Sequence, residues 1–431
     1  MDITTQDTQG TRLTKSQVPL GFRFAAVRAG IKASGNPDFA CAVADEGAAA
    51  AAMFTSNRVI AAPLIVGERH LARGRGRIRA LVVNAGNANC ATGEPGILAT
   101  EHICARAAEL FGCEGHAVFP SSTGIIGVPL PEEKLLAALP VLRSGLGSSP
   151  GHLEQLAGAI MTTDTRSKIA AASIEAEGRT VRLAGVAKGA GMIHPRLRSA
   201  HGSGYGSGLH ATMLVYLFTD AAMDPRAAED FLKTAVESTF NRISIDGDTS
   251  TNDTVLLLAS GASGVTIDGS APRAPAQAAA AAFSSALHEI CLSLAKQIVE
   301  DGEGVQHVVE LEICGAASDA DALQIARSIA HSPLVKTSWA GCDPNWGRVL
   351  AAIGYSGAPI DPARVNIYLG GMELCRAGGV SPDLDKESAH EYLKQRNLLL
   401  RVELGLGNGA CRFWTTDLTT EYVHINADYS T

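Results

Sequence analysis

The sequence contains no CxxC pair, although it has nine cysteines: Cys41, Cys90, Cys104, Cys113, Cys291, Cys314, Cys342, Cys375 and Cys411. Their number is odd and their spacing irregular, which argues against a disulfide framework or a zinc site and for reduced thiols in a core. No metal is expected. The GxxxxGK[ST] spacing of a phosphate loop is also missing, even where glycines gather around Lys188, so a phosphate-loop reading fails. No uninterrupted apolar run approaches the roughly 18 residues of a membrane span, and the polar start MDITTQDTQGTRLTKSQVP lacks an apolar h-region. A soluble cytoplasmic protein is therefore expected, with no membrane partner. Positive charge is not in excess: the formal net charge is −8. The basic run RGRGRIR, from Arg73 to Arg79, has no aromatic neighbours on which bases would stack. It reads as a solvated loop, and no nucleic-acid partner is expected.

What the chain does have is length and apolar content: 431 residues, 46% hydrophobic, enough for two or three domains around a large core. Short apolar runs such as ALVVNAG (80–86) alternate with helical patterns such as TEHICARAAELFG (100–112), where Ile103, Ala107 and Leu110 share a face. Further strands are predicted at MLVYLFTD from Met213, TVLLLASG from Thr254 and VVELEICG from Val308. A helix opens at Asp224 as N-cap with Pro225 at its first position, and Phe231, Ala235 and Val236 line one face. A second, from Ala281, sets Phe283, Leu287, Ile290, Leu294 and Ile298 at helical spacing, and SAPRAPAQAAAA (270–281) reads as the connector before it. The alternation alone gives a mixed α/β or α+β class. The expected organisation is a flexible lead-in over 1–19, a catalytic α/β domain over 20–304, and a smaller C-terminal α+β domain over 305–431 with VNIYLGG and LLLRVELGLG as strands.

The stretch KGAGMIHPRLRSAHGSGYGSGLHATML (188–214) runs a glycine-rich segment into Ala211-Thr212 and then into a strand. A threonine in that place is either a plain strand start or a nucleophile. Under backbone strain, an internal threonine hydroxyl attacks the preceding carbonyl and converts the peptide to an ester, which water then cleaves. The freed α-amine titrates near neutrality and acts as base for its own hydroxyl, so no histidine is needed. SSTGIIG, from Ser121, is either a tight turn or a pair of donors, the Thr123 hydroxyl and the Gly124 amide, aimed at a developing oxyanion.

KGAGMI with ATML, NAGNANCATGEPG (84–96), SSTGIIG, TTDT (162–165), ISIDGDTSTNDT (243–254), EDGEG (300–304), DPNWGR (343–348) and the terminal INADYST together resemble the ornithine acetyltransferase family. These are the bifunctional glutamate N-acetyltransferases of arginine biosynthesis, and the resemblance runs from about Val18 to Thr431. It implies a layered sandwich of stacked β-sheets flanked by helices. It also implies self-cleavage between Ala211 and Thr212, with the two chains associating and then forming a higher oligomer.

By the same resemblance Thr212 is the nucleophile and Thr123 and Gly124 form the oxyanion hole. Thr162, Lys188, Thr212, Glu303, Asn426 and Thr431 contact substrate, with Thr163 as an alternative register for Thr162. The implied reaction carries acetyl from N-acetylornithine to glutamate through an acetyl-threonine, with no cofactor, and some members also accept acetyl-CoA as co-substrate. A same-fold amidase or aminopeptidase with water as acceptor, and an uncleaved amino-acid-binding relative, are the alternatives. One departure stands out: the family joins this lysine to its nucleophile by a shorter segment. Here RLRSAHGSGYGSG intervenes, a composition of low stiffness, and His210 stands where methionine is expected.

Overall fold

A computed structural model describes residues 4–6, 13–199, 212–269 and 274–428. Two units divide the chain, one formed by Met1–Asn241 with Thr249–Ile298 and the other by Arg242–Asp248 with Val299–Ser430.

The first unit holds a sheet of ten strands: β1 (Thr4–Gln6), β2 (Phe22–Val27), β3 (Phe39–Thr55), β4 (Arg77–Asn87), β5 (Val118–Ile125), β6 (Lys168–Ala176), β7 (Arg179–Lys188), β8 (Leu197–Ser199), β9 (Leu214–Thr219) and β10 (Thr254–Ala259). Its path is β1-β6-β7-β9-β10-β3-β4-β5, with β2 and β8 also paired to β3. The pairs β4–β5 and β9–β10 are parallel and the others antiparallel.

The long strand β3 organises this sheet. Residues 39–44 pair with β2 on one edge, and 49–54 pair with β10 on that same edge; β4 and then β8 take the other. Because side chains alternate along a strand, Phe39, Cys41 and Val43 enter one core while Ala40, Ala42 and Ala44 enter another. In the second of these cores Phe22 and Phe24 of β2 meet Phe218 of β9 edge-on, with ring centroids 5.3 and 5.0 Å apart. Two wings of the sheet thus face each other across a shared core, which is the stacked arrangement expected. Edge-to-face rings of this kind add about 0.5–1.5 kcal/mol to their area burial.

Helices cover the outer faces. Helix α1 (Ala62–Arg73), α2 (Gly93–Phe111) and α3 (Glu132–Ser144) place Val66, Ile103, Ala107 and Leu139 against the outer face of β3 and β4. Helix α4 (Pro150–Ala159) fills the inner core with Leu153 and Leu156. Helix α5 (Pro225–Ser238) begins as predicted, the Asp224 side chain accepting from Arg226 N, and its Phe231 packs on Phe283 of α6 (Ala274–Glu300). The stretch read as connector up to Ala281 is thus already helix from Ala274. Among the described residues α6 is the one helix long and apolar enough to cross a membrane, but 56% of its most apolar window is buried in the protein. It lies so close to β7 that a Cβ on Gly185 would meet Leu294 Cδ1 at 2.8 Å.

The segments expected to be loose are partly tied down. Thr4–Gln6 pairs with β6, and Leu197–Ser199 pairs with Phe54 and its neighbours in β3, with Leu197 N donating to Asn241 Oδ1 at 2.8 Å. Residues 200–211, including His210 and Ala211, lie outside the described residues. The basic run at 73–79 is the turn from α1 into β4, with Arg73, Arg75 and Arg77 exposed as a solvated loop would have them, while Arg79 donates to the Ala44 carbonyl.

The second unit holds a six-stranded sheet of β11 (Val308–Ala316), β12 (Asn366–Leu369), β13 (Met372–Arg376), β14 (Gly379–Val380), β15 (Asn397–Glu403) and β16 (Gly409–Thr416), ordered β14-β13-β12-β15-β11-β16. Helices α7 (Asp319–Ala330), α8 (Pro333–Ala340), α9 (Trp346–Gly354), α10 (Lys386–Leu393) and α11 (Thr420–Asp428) accompany it. Val309, Leu311 and Ile313 of β11 share a core with Ile325 and Ile329 of α7 and Ile353 of α9. Residues 242–248 belong here because Ser244 N donates to Trp414 O at 3.0 Å and Thr416 Oγ1 to Ile245 O at 3.3 Å.

Candidate active site

Thr212 precedes β9, an interior strand whose partners are β7 and β10. The ladder reaches back to it, since Lys188 pairs with Leu214 and Thr254 N donates to Met213 O at 3.0 Å. Thr212 is 1% exposed. Its Oγ1 accepts from Ser250 Oγ at 3.1 Å, and its carbonyl accepts from Lys188 Nζ at 2.7 Å. The next amide, Met213 N, donates to Asp253 Oδ1 at 2.8 Å. Hydroxyl, carbonyl and following amide are therefore each fixed by a different side chain.

Lys188 is not the surface lysine of an ordinary glycine turn: it is buried, and Nζ also reaches Thr123 Oγ1 at 3.3 Å. Thr123 is fully buried near the end of β5. Gly124 beside it has φ +131°, where a Cβ would lie 2.3 Å from Gly86 C in β4, so only glycine fits there.

Asp164 ties the Thr162 loop to this cluster. Its Oδ1 accepts from Lys168 Nζ at 2.6 Å and from Gly189 N at 2.6 Å, and its Oδ2 accepts from Thr162 N at 2.9 Å. Burial works against its ionisation, but Lys188, Lys168 and the Gly189 amide overcome this and hold the carboxyl at about 2. Thr162 and Thr163 are both half-buried, so exposure does not choose between them.

Residues 249–253 supply what the sequence reading left without roles. Asn252 Nδ2 donates to Ala88 O at 2.8 Å and Ser122 O at 2.9 Å, holding the ends of β4 and β5 together, while Asn252 N donates to Ser250 Oγ at 3.0 Å. Asp253 is 1% exposed, and burial pushes its carboxyl up to about 7 against the Met213 amide, Lys188 and Ser250. The signal for these residues was the run STND directly before an apolar strand. The NAGNANC motif plays a supporting part: Asn84 Oδ1 accepts from Ser122 Oγ at 2.6 Å, and Asn89 donates to Gly96 O and Thr100 Oγ1 at the start of α2.

The structure thus brings together Thr123, Gly124, Thr162, Lys188 and Thr212. In the second unit Asn426 Nδ2 donates to Glu303 Oε2 at 2.9 Å, so those two candidates also meet. Ala211 and Thr431 lie outside the described residues. The chemistry on offer is that of a buried hydroxyl, with an ammonium on its own carbonyl and a second hydroxyl and a glycine beside it.

A layered α/β sandwich carrying a buried hydroxyl and lysine cluster at the head of an interior strand is the class that fold and site define. The chain matches the ArgJ family over residues 23–431 and belongs to it. It is 43% identical to an arginine biosynthesis bifunctional protein ArgJ of Geobacter sulfurreducens, over 95% of this chain and 99% of that one. It is 42% identical to the protein of the same name from Ruegeria pomeroyi, over 95% and 94%. Among solved structures, the ornithine acetyltransferase of Mycobacterium tuberculosis complexed with ornithine is 35% identical over 46% of this chain and 100% of that one, with a TM-score of 0.41.

Proposed function

We propose that this chain is a self-cleaving glutamate N-acetyltransferase of arginine biosynthesis, moving acetyl from N-acetylornithine to glutamate. The observation that carries the reading is that Ser250 holds the Thr212 hydroxyl, Lys188 its carbonyl and Asp253 the following Met213 amide, inside a family whose members are named for arginine biosynthesis.

In the cleavage step Thr212 Oγ1 attacks the Ala211 carbonyl carbon, and the Ala211–Thr212 C–N bond breaks as the nitrogen takes a proton. Water then hydrolyses the ester, leaving an Ala211 carboxylate and a Thr212 α-amine. In transfer that amine takes the proton of Oγ1 as Oγ1 attacks the acetyl carbonyl of N-acetylornithine, and it returns the proton to the departing ornithine nitrogen. The amine of glutamate attacks the acetyl-threonine, and Oγ1 leaves with a proton.

Thr123 and Gly124 are assigned to the oxyanion of both halves. Thr162, Lys188, Glu303, Asn426 and Thr431 are assigned to the amino-acid substrate by the family motifs, with Glu303 suited to an ammonium and Lys188 to a carboxylate. No cofactor enters these steps, and acetyl-CoA would be an alternative acetyl donor. The two chains would remain associated and oligomerise in the cytoplasm.

Denaturing electrophoresis and an acceptor assay test this reading together. Two chains divided at Thr212, merging into one of 44.7 kDa in Thr212→Ala, with ornithine release that requires glutamate, are expected. A wild-type chain that persists at full length overturns the cleavage. Ornithine release that proceeds equally without glutamate makes water the acceptor and overturns the transferase.

A further inference from the structure

Asp253 treats its two oxygens differently. Oδ1 holds the Met213 amide, while Oδ2 is buried with no hydrogen-bond partner among the described residues. Buried carboxylate oxygens are normally paired, so the open one calls for a donor. The backbone group whose donor capacity would change on cleavage is Thr212 N. Standard bond lengths keep it within about 3.7 Å of Met213 N, the atom Asp253 already grips. Before cleavage Thr212 N is a neutral amide; afterwards it is an α-amine that carries up to three protons and a positive charge in a buried site.

A buried ammonium needs a counter-charge. Lys188, on the end of β7, bears the same sign and already donates to Thr212 O. Asp164 is committed to Lys168 and to the Gly189 amide. Lys32, which feels both Lys188 and Asp164, is again positive and donates to Pro37 O and Ala159 O. His194, from the segment after β7, presents its carbonyl to Thr249 Oγ1. Ser250 gives its hydroxyl to Thr212 Oγ1, and its amide and hydroxyl also act on the Asp253 carboxyl, but it carries no charge.

We propose that Asp253 receives the α-ammonium that cleavage creates on Thr212, and so sets the pH at which that amine becomes the base for the Thr212 hydroxyl. This rests on the reading of Thr212 as a self-cleaved nucleophile. Asp253 is a positioning residue here, acting through the amine and not on substrate. Burial holds its carboxyl up at about 7 in the uncleaved chain. The arriving ammonium favours the ionised carboxylate, and the carboxylate in turn raises the pH at which the amine loses its proton.

The test titrates the Thr212 α-amine of the cleaved enzyme by competitive labelling with acetic anhydride, read by mass spectrometry of the new N-terminal peptide, alongside the pH profile of kcat/KM. In Asp253→Asn both the labelling midpoint and the acid limb are expected to move to lower pH by about one unit or more. A cleaved Asp253→Asn enzyme that is slower at every pH with both midpoints unmoved overturns the proposal and leaves Asp253 a packing role. A folded Asp253→Asn chain that stays at full length also overturns it, placing the residue in the cleavage step. If Asp253→Asn does not fold, carboxyl carbon NMR decides the matter on native side chains. Asp253 is expected to titrate at lower pH in the cleaved enzyme than in uncleaved Thr212→Ala, and equal midpoints overturn the proposal. Absence of any wild-type chain beginning at Thr212 defeats the cleavage reading itself, a different failure from an unmoved midpoint.

Discussion

Gly124 is where a single methyl group would do the most harm. With φ at +131° and the Gly86 carbonyl carbon 2.3 Å from a would-be Cβ, Gly124→Ala has to displace the β4 backbone and with it the Thr123–Gly124 pair. Its kcat/KM for N-acetylornithine and glutamate is expected to fall by about 100-fold or more, the scale of losing one oxyanion donor. Asp164→Ala acts on stability, because it strands buried Lys168 and removes an acid beside Lys188; chemical denaturation should show a loss of about 3–5 kcal/mol. The two perturbed acids also respond oppositely to pH. Asp164, held at about 2, contributes stability above its ordinary 3.8 that is lost as pH falls through 2. Asp253, raised to about 7, binds its proton more tightly folded than unfolded, so stability declines as pH rises from 3.8 to about 7. In the uncleaved Thr212→Ala background, Asp253→Asn should flatten that decline in thermal midpoint. Thr123, Gly124, Thr162, Lys188 and Thr212 were legible because each sits in a short motif. Ser250 and Asp253 were quoted within a motif but given no role, since their bonds to Thr212 and Met213 span some 40 positions that local pattern does not connect.

Among the elements, β9, β10, β11, α2 and α5 were readable from apolar runs or from helical spacing with caps. The strand β3 was not. Its AAAAAMFT stretch is built from alanine, a helix former depleted in strands, and shows no alternation because every residue of it is buried. Tertiary packing overrides propensity there. The start of α6 was missed for the opposite reason, the prolines and alanines near 274 looking like a linker although Pro275 is tolerated in a first turn. Between β7 and α6 the packing leaves no room for a side chain at Gly185, whose Cβ would meet Leu217 and Leu294 at 2.8 Å and Ile290 at 3.2 Å. Gly185→Val should therefore lower stability by about 1–3 kcal/mol, read as a lower urea midpoint.

For the whole molecule, burial of thiols gives a chemical record of integrity. Cys41, Cys104 and Cys291 are closed off in the first unit and their thiols are pushed well above the ordinary range by burial. They should stay unmodified by iodoacetamide in the native protein and react only on unfolding, as peptide mass mapping would show. The placement of β9 has a further effect on how the protein folds. Its antiparallel neighbour β7 precedes Thr212 and its parallel neighbour β10 follows it. In an uncleaved chain these pairings close loops within one polypeptide. With cleavage at Thr212 as proposed, the β7–β9 and β3–β10 ladders would join two separate polypeptides, so the thermal midpoint of the wild type should rise more steeply with protein concentration than that of Thr212→Ala. On the proposed function, the residue at the head of β9 would thereby set whether this sheet reassembles within one chain or from two.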